Sequence, residues 1–237
     1  MVKISERLMM AASLVSDGNV LADVGTDHGY VPIYLLQQQR IPRAIAMDIN
    51  RGPLERADEH IKLYGMTDYI ETRLSDGVEA LCLGEADSIL IAGMGGGLVI
   101  HILTAGEAVC EAAKELILQP QSELERVRRF LDESGYVLDA EEMVKEEGKY
   151  YPMMRVHYEP DARKSYGEEC EVFYQYGEIL LNKKHPVLLD YLNKEEGIQR
   201  EILNRLQEQP ATEPIQNRMR EVEYVLKLNA QARAYYK

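Results

Sequence analysis

The stretch Leu21-Ala-Asp-Val-Gly-Thr-Asp-His-Gly29 decides the fold of this chain. An apolar run over residues 20–24 leads into a glycine turn. The residues that follow, Tyr30-Val-Pro-Ile-Tyr-Leu-Leu36, start a helix with Pro32 near its first turn. A strand, a glycine turn and a helix in this order are typical of a doubly wound α/β sheet that brings a nucleotide-like ligand against bare backbone.

Asp27 distinguishes this turn from the dinucleotide-binding pattern G-x-G-x-x-G. It stands where that pattern has its second glycine, beside the expected pyrophosphate. A carboxylate at this position repels a pyrophosphate and attracts a cation. We therefore expect a nucleotide-like ligand that carries positive charge. The alternative role for Asp27 is an Asx turn that closes the loop.

Strand and helix signals alternate through the first 160 residues, which is the pattern of βαβ units. Seven apolar or alternating runs predict strands, at residues 20–24, 44–48, 69–74, 88–92, 116–120, 136–143 and 150–158. These predict a doubly wound α/β sheet of seven strands with an antiparallel edge. Ser122 and Glu125 match a capping box, which predicts a helix from Ser122 to Gly135.

Only helix signals remain beyond Pro160. Two apolar stripes predict an antiparallel, coiled-coil-like pair of helices, with Leu188, Leu192, Ile202 and Leu206 on one and Ile215, Met219, Val222 and Leu226 on the other. We therefore expect two domains, 1–160 and 161–237. The helical domain is a platform for RNA or for a second subunit, and the sequence leaves open a homodimer through these helices or a monomer.

The charge of the chain is unevenly distributed. The formal net charge is −13, and the first 160 residues carry almost all of it, whereas residues 161–237 are nearly neutral. Nucleic-acid binding through a simple basic surface is thereby disfavoured, since such binding relies on Lys and Arg to neutralise phosphates. The helical segment is the more permissive surface for a polyanion.

The cysteines and the apolar segments indicate in which cellular compartment the protein lies. Cys82, Cys110 and Cys170 show neither C-x-x-C nor metal-ligand spacing, so we expect reduced packing residues in a cytoplasmic protein, and no metal. The N-terminal residues lack the apolar core of a signal peptide. Residues 88–104 contain no Asp, Glu, Lys or Arg, but their glycines favour a strand, a turn and a short helix over a membrane span.

Polar or glycine residues stand at four strand ends, where open α/β sheets bind their ligands. They are Asp23-Val-Gly25, Asp48-Ile-Asn50, Ser75-Asp-Gly77 and Gly93-Met-Gly95. Asp48 can accept hydrogen bonds from both hydroxyls of a ribose, and Asp76 can accept one from the exocyclic amine of an adenine. Each aspartate alone is equally well a turn former, whereas the ordered set indicates one ligand site.

The chain resembles a known family through five motifs. They are Asp23-Val-Gly-Thr-Asp-His-Gly-Tyr-Val-Pro32, Ala46-Met-Asp-Ile-Asn50, Arg73-Leu-Ser-Asp-Gly77, Ile91-Ala-Gly-Met-Gly-Gly96 and Leu116-Ile-Leu-Gln-Pro120. Together they look like the bacterial tRNA (adenine-22 N1)-methyltransferases, the TrmK family, from Glu6-Arg-Leu8 to about Tyr158. The resemblance implies a Rossmann-like methyltransferase domain, tRNA as partner and S-adenosyl-L-methionine as methyl donor.

The resemblance also implies a set of cofactor-binding residues. They are Asp23, Gly25, Thr26, Asp27, His28, Gly29, Asp48, Ile49, Asn50, Asp76, Gly77, Ala92, Gly93, Met94 and Gly95. A sulfonium cofactor agrees with the cationic ligand that Asp27 predicts.

The motif after the fourth strand bears on the chemistry. Methyltransferases that act on exocyclic amines often carry Asn- or Asp-Pro-Pro-Tyr there, and this chain carries Ala-Gly-Met-Gly. A ring nitrogen such as adenine N1 has a free lone pair, so the enzyme must mainly align it. Asp27 is the candidate to stabilise the developing cation, and Tyr30 or Met94 the candidate to pack on the base. His28 can act as a base or touch substrate, although a backbone hydrogen bond is the commoner role.

Two other functions stay open at this stage. One is a methyltransferase for a small molecule or a protein, which the acidic charge tolerates. The other is a non-catalytic assembly module built on the helical pair. For a tRNA substrate, we expect the base to be drawn out of its stack and the RNA to be recognised mainly by shape.

Overall fold

The computed structural model describes residues 2–161 and 170–237. It divides the chain into two compact units, Met1–Lys164 and Ser165–Lys237. The first contains the strands and the second is helical.

The first unit is built on one seven-stranded sheet in the order β3-β2-β1-β4-β5-β7-β6. The strands are β1 Leu21–Val24, β2 Ala44–Asp48, β3 Ile70–Leu74, β4 Ser88–Met94, β5 Glu115–Pro120, β6 Tyr136–Glu146 and β7 Lys149–Tyr158. The first five are parallel, and β7 runs antiparallel to both β5 and β6. The predicted Rossmann-like sheet of seven strands with an antiparallel edge is confirmed.

Six helices cover the two faces of this sheet. They are α1 Glu6–Ser13, α2 Tyr30–Gln37, α3 Arg51–Leu63, α4 Gly96–Ala105, α5 Glu107–Ala112 and α6 Leu124–Glu133. Alternate strand residues feed two cores: Ile89 and Ile91 pack with α4, α5 and α6, while Leu21 and Leu90 pack with α1, α2 and α3. Each such residue is almost fully buried and contributes about 1.5–3 kcal/mol to folding.

The predicted capping box at Ser122 is wrong. Helix α6 begins at Leu124, and its N-cap residue Glu123 adopts a left-handed conformation with φ of 53°. Ser122 Oγ and Glu123 Oε2 instead accept hydrogen bonds from the backbone N–H groups of Gly96 and Gly97, at 3.3 and 2.9 Å. The free N–H groups at the start of α4 therefore attract these oxygens away from their own helix.

The charge-free window forms β4 and α4, as predicted. Within residues 2–161 and 170–237, no helix is long and apolar enough to cross a membrane. Cys110 is buried, as expected of a packing residue, but Cys82 is exposed, and its prediction is wrong. Cys82 lies in a surface turn, where its N–H donates to Glu85 Oε2 at 2.9 Å. The side chain of Cys170 lies outside the described residues.

The second unit contains α7 Cys170–Tyr176, α8 Glu178–Asn182, α9 Pro186–Gln207 and α10 Glu213–Ala234. Asn229, near the end of α10, donates to the carbonyl of Leu192, near the start of α9, at 2.9 Å. The two long helices are therefore antiparallel, as predicted. Of the predicted stripes, Leu188, Leu192 and Val222 are buried, whereas Ile202, Leu206, Ile215, Met219 and Leu226 are half-buried.

A polar network fixes how the helices of the second unit align. Glu195 on α9 accepts from the hydroxyls of Tyr176 and Tyr191 at 2.7 and 2.9 Å, and from Asn229 Nδ2 at 2.9 Å. Burial and the neighbouring Glu195 charge raise the pKa of Tyr176, so its hydroxyl stays a donor. Because sliding α10 by one turn would break the Asn229 bonds, the network sets the register of the pair.

A buried ion pair joins α6 to β6 and gives a stability prediction. Arg128 Nε lies 2.9 Å from Glu141 Oε1, and the two side chains are 6% and 0% exposed. We expect Glu141→Ala to lower the free energy of unfolding by about 3–5 kcal/mol, because a buried guanidinium loses its carboxylate. Urea denaturation measures this, with the double replacement Arg128→Met/Glu141→Leu expected near wild type. A single variant within about 1 kcal/mol of wild type contradicts the prediction.

Candidate functional site

A cavity of about 600 Å³ opens at the carboxyl ends of β1 and β4. The glycine turn after β1 forms one wall, and the N-terminal segment with α1 and the tip of the β6–β7 hairpin complete it. Eight of the predicted residues line it: Asp23, Gly25, Thr26, Asp27, His28, Tyr30, Ala92 and Gly93. This is the edge at which a doubly wound sheet binds ligands.

A second space, of about 370 Å³, lies where β3 ends and includes Ile49 and Asp76. Asp76 and Gly77 also border a small gap of about 10 Å³ against α4. The predicted residues thus fall into two neighbouring groups. One group follows β1 and β4, and the other follows β2 and β3.

The remaining predicted residues hold the loops in place. Asp48 Oδ1 accepts from the N–H of Asn50 at 2.8 Å, which closes the turn after β2. The methyl end of Met94 lies against Gly25, and Gly95 lies beside Ser122. Gly29 packs against Ala57 of α3.

The glycine turn is tied to the neighbouring strand by its own backbone. The N–H groups of Gly25 and Thr26 both donate to the carbonyl of Met47, at 2.8 and 2.9 Å. Gly25 has φ of 74°, and a Cβ there would lie 2.4 Å from Met94 Cε. Asp27 is left-handed too, with φ of 47°, a conformation that Asp tolerates better than most residues. This backbone leaves a bare surface that a ligand can approach closely.

Asp23 is a buried carboxylate in the wall of the cavity, only 5% exposed. Its Oδ2 accepts from Thr26 Oγ1 at 2.6 Å. Burial raises the pKa of Asp23 to about 6; the Thr26 hydrogen bond lowers it, and the Asp48 charge raises it. A carboxylate that is poorly compensated by the protein is suited to a cationic ligand group.

Asp27 lies in the same wall but is exposed and already paired. Its Oδ1 is 2.6 Å from Arg56 Nη2, and its Oδ2 is 3.5 Å from His28 Nε2. An exposed ion pair of this kind contributes little to stability. Arg56 therefore offsets part of the attraction that the Asp27 charge has for a cation.

Three aromatic rings cluster beside the turn. The Tyr30 ring stacks on His28 and on His60, with centroids 5.0 and 4.9 Å apart. His60 Nδ1 lies 3.1 Å from the carbonyl oxygen of His28. In the described part of the chain, the buried His28 Nδ1 has no hydrogen-bond partner, so a bound ligand can supply one.

Sequence reasoning assigned no role to a polar group on the opposite wall. Arg7 Nη1 and the N–H of Gly93 both donate to Gln119 Oε1, at 2.7 and 3.2 Å. The Arg7 guanidinium also lies over the Tyr151 ring, 5.5 Å from its centroid. Both Arg7 and Gln119 fall in stretches that carry the family resemblance. A glutamine within an otherwise apolar strand was a sequence signal for Gln119, and the structure shows it fully buried, whereas no pattern marked Arg7.

The described ranges, 2–161 and 170–237, contain no group of three or more His, Cys, Asp or Glu suited to a metal ion. The groups that line the cavity in these ranges include carboxylates, aromatic rings, the Lys3 ammonium and the Arg7 guanidinium.

The strand order and the acidic ends of β1 and β2 define a Rossmann-like domain with a nucleotide-type site. The chain belongs to the methyltransferase domain family, whose model matches residues 4–154, and within it to the TrmK family.

Three known proteins support this assignment. The tRNA (adenine(22)-N(1))-methyltransferase of Bacillus subtilis is 39% identical over 152 residues, which are 64% of this chain and 64% of that protein. The crystal structure of the B. subtilis M1A22 tRNA methyltransferase TrmK is 30% identical, with a TM-score of 0.85 over 98% of this chain and 99% of that one. Streptococcus pneumoniae Sp1610, a putative tRNA (m1A22) methyltransferase in complex with S-adenosyl-L-methionine, is 30% identical, with a TM-score of 0.80 over 94% and 100%.

The raised pKa of Asp23 predicts a pH-dependent stability. Folded Asp23 titrates near pH 6 and unfolded aspartate near 3.8, so the folded protein loses stability as pH rises between these values. Asp23→Asn carries no charge and should be more stable than wild type above pH 6, by up to about 3 kcal/mol. This advantage should vanish below about pH 4.

Thermal and urea unfolding between pH 4 and 8 measure this difference. Asp68→Asn, at an exposed aspartate, is the matched control and should show none of it. An Asp23→Asn protein that is no more stable than wild type at pH 8 would show that burial of this carboxylate is not costly.

Proposed function

We propose that this chain is an S-adenosyl-L-methionine-dependent methyltransferase that methylates N1 of adenine 22 in tRNA. The observation that carries the proposal is the buried, poorly compensated Asp23 carboxylate under a glycine turn, in the wall of a cavity of ligand size. The names of the B. subtilis relatives supply the substrate. Because the curated relative matches over 64% of its length, the activity of the whole chain rests on this proposal.

The residues present fit the cofactor. Gly25 and Gly93 leave space that a side chain would fill, and the buried His28 Nδ1 awaits a partner. We assign Asp23 to the cationic part of the amino-acid end. Arg7, whose guanidinium lies near Gly93 in the same cavity, is the partner for the carboxylate of that end.

The nucleoside end belongs to the second group of residues. We assign the two ribose hydroxyls to Asp48 and the exocyclic amine of adenine to Asp76, with Ile49 packing on the adenine ring. Ile49 is 56% exposed and lines the same space as Asp76, so its side chain is free to pack on a ring there. When bound, S-adenosyl-L-methionine would supply an activated methyl group, because its positively charged sulfur can leave as a neutral thioether.

The target nitrogen sets the chemical task of the protein. Adenine N1 presents a lone pair, so the residues around it need only align it with the methyl group and tolerate the charge that develops. Tyr30, in the wall of the cavity, packs on the base. Asp27 favours the cationic product, and Arg56 limits how strongly it does so.

The RNA has to deliver a base from a folded stem. We therefore expect adenine 22 to be drawn out of its stack into the cavity, with recognition by tRNA shape. The nearly neutral second unit opposes an RNA backbone less than the acidic first unit does. A cytoplasmic location follows from this substrate.

The activity test uses unmodified tRNA with adenine at position 22. We expect N1-methyladenosine in the digested product by mass spectrometry, and none from the same tRNA carrying guanine 22. Calorimetric titration with S-adenosyl-L-methionine measures the cofactor site separately. Cofactor binding without product on any tRNA having adenine 22 would rule out this substrate and point to a small molecule or a protein.

A second prediction separates the two roles of Asp27. Asp27→Asn keeps the left-handed turn, since Asn also tolerates it, but removes the charge. If the carboxylate stabilises the developing cation, kcat should fall about tenfold with little change in cofactor affinity. Arg56→Gln, which removes the compensating cation, is the control and should not lower kcat.

An effect of Asp27→Asn on cofactor binding rather than on kcat would contradict this prediction. Weaker cofactor binding with an unchanged kcat would make Asp27 a cofactor ligand and remove it from the chemistry.

A further inference from the structure

One face of α3 lies against the glycine turn at successive helical turns. Arg56 binds the Asp27 carboxylate, and Ala57 packs on Gly29, where a Cβ would lie 3.5 Å from the alanine Cβ. One turn later, His60 Nδ1 lies 3.1 Å from the carbonyl oxygen of His28. His60 lies on the same side of the helix as both, because it follows Arg56 by four residues and Ala57 by three.

His60 makes two different contacts with the turn. Its Nδ1 is placed to donate to the carbonyl of His28, a residue of the turn that lines the cavity. Its ring stacks on Tyr30, with centroids 4.9 Å apart and planes inclined by 28°. One side chain thus touches both the backbone proposed to hold the cofactor and the ring proposed to pack on the base.

We propose that His60 is a positioning residue for methyl transfer, acting on the cofactor through His28 and on the target base through Tyr30. Nothing in the sequence motifs marks it, because its contacts depend on how α3 packs against the turn. The hydrogen bond limits the conformations of residues 25–30, and the ring limits the orientation of Tyr30. The action of His60 on the target base through Tyr30 rests on the proposed function.

Two replacements separate the two contacts. His60→Asn keeps a donor near the Nδ1 position and loses the ring, whereas His60→Phe keeps the ring and loses the donor. We expect His60→Phe to raise the Kd for S-adenosyl-L-methionine about tenfold. We expect His60→Asn to keep that Kd within about twofold of wild type and to lower kcat/KM for tRNA roughly tenfold.

A readout without ligand completes the test. Amide hydrogen exchange of residues 25–30 should be faster in His60→Phe than in wild type, with α2 and α3 otherwise unchanged. Lys62→Ala, on an exposed site of the same helix, is the matched control and should leave exchange, Kd and kcat/KM as they are. Thermal unfolding of each variant shows how much of any loss comes from stability.

The outcomes are distinct. If His60→Phe and His60→Asn match wild type in exchange, Kd and kcat/KM, His60 positions nothing. If both lose all three in proportion to a lower Tm, His60 is a structural residue only. If wild type binds cofactor but methylates no tRNA, the proposed function fails, while exchange and Kd in His60→Phe still decide the role of His60 in the turn.

Discussion

A negative charge held out of water at the end of β1 is the constraint on which the site depends. Asp23 is buried, and Thr26 is the hydrogen-bond donor that the structure gives its carboxylate. Burial of this charge destabilises the folded state, but it places the carboxylate in the wall of a large cavity. Protein side chains compensate it poorly, so a cationic ligand gains more there than it would at a solvated aspartate. Binding and stability therefore oppose each other at this residue.

The turn around that charge is held by contacts from three sides. Met47 accepts from two of its N–H groups, Met94 lies against Gly25, and α3 packs on Gly29. Three of the turn's residues, Gly25, Asp27 and Gly29, are left-handed, and the N–H of Gly29 donates to the carbonyl of Thr26 at 3.0 Å within the turn. Packing against β2, β4 and α3 adds contacts from outside the turn, and such contacts favour the preorganisation that a binding site requires.

Much of this could be predicted from local pattern, and the misses share a cause. Strand ends such as Asp23 and Gly93 can be predicted from the sequence, because apolar runs stop there and parallel strands end at one edge of the sheet. The capping box predicted at Ser122 was wrong because Ser122 Oγ accepts from the N–H of Gly96 in α4, a contact between segments far apart in sequence. Arg7 and His60 were missed for the same reason. Their partners Gln119 and His28 are more than thirty residues away, and no periodicity encodes such pairs.

Asp27 shows how tertiary contacts change the meaning of a motif residue. By sequence it is a free carboxylate in place of a glycine, and its charge alone predicts a cationic ligand. In the fold it is paired with Arg56, so its field on the cavity is weaker than that of an unpaired carboxylate in the same place. A strong fixed charge beside a sulfonium would stabilise the bound cofactor as well as the transition state, and uniform stabilisation gains no rate. In the proposed methyl transfer the positive charge moves from the sulfonium to the base, so Asp27 raises kcat only if its carboxylate lies nearer to the base than to the sulfur.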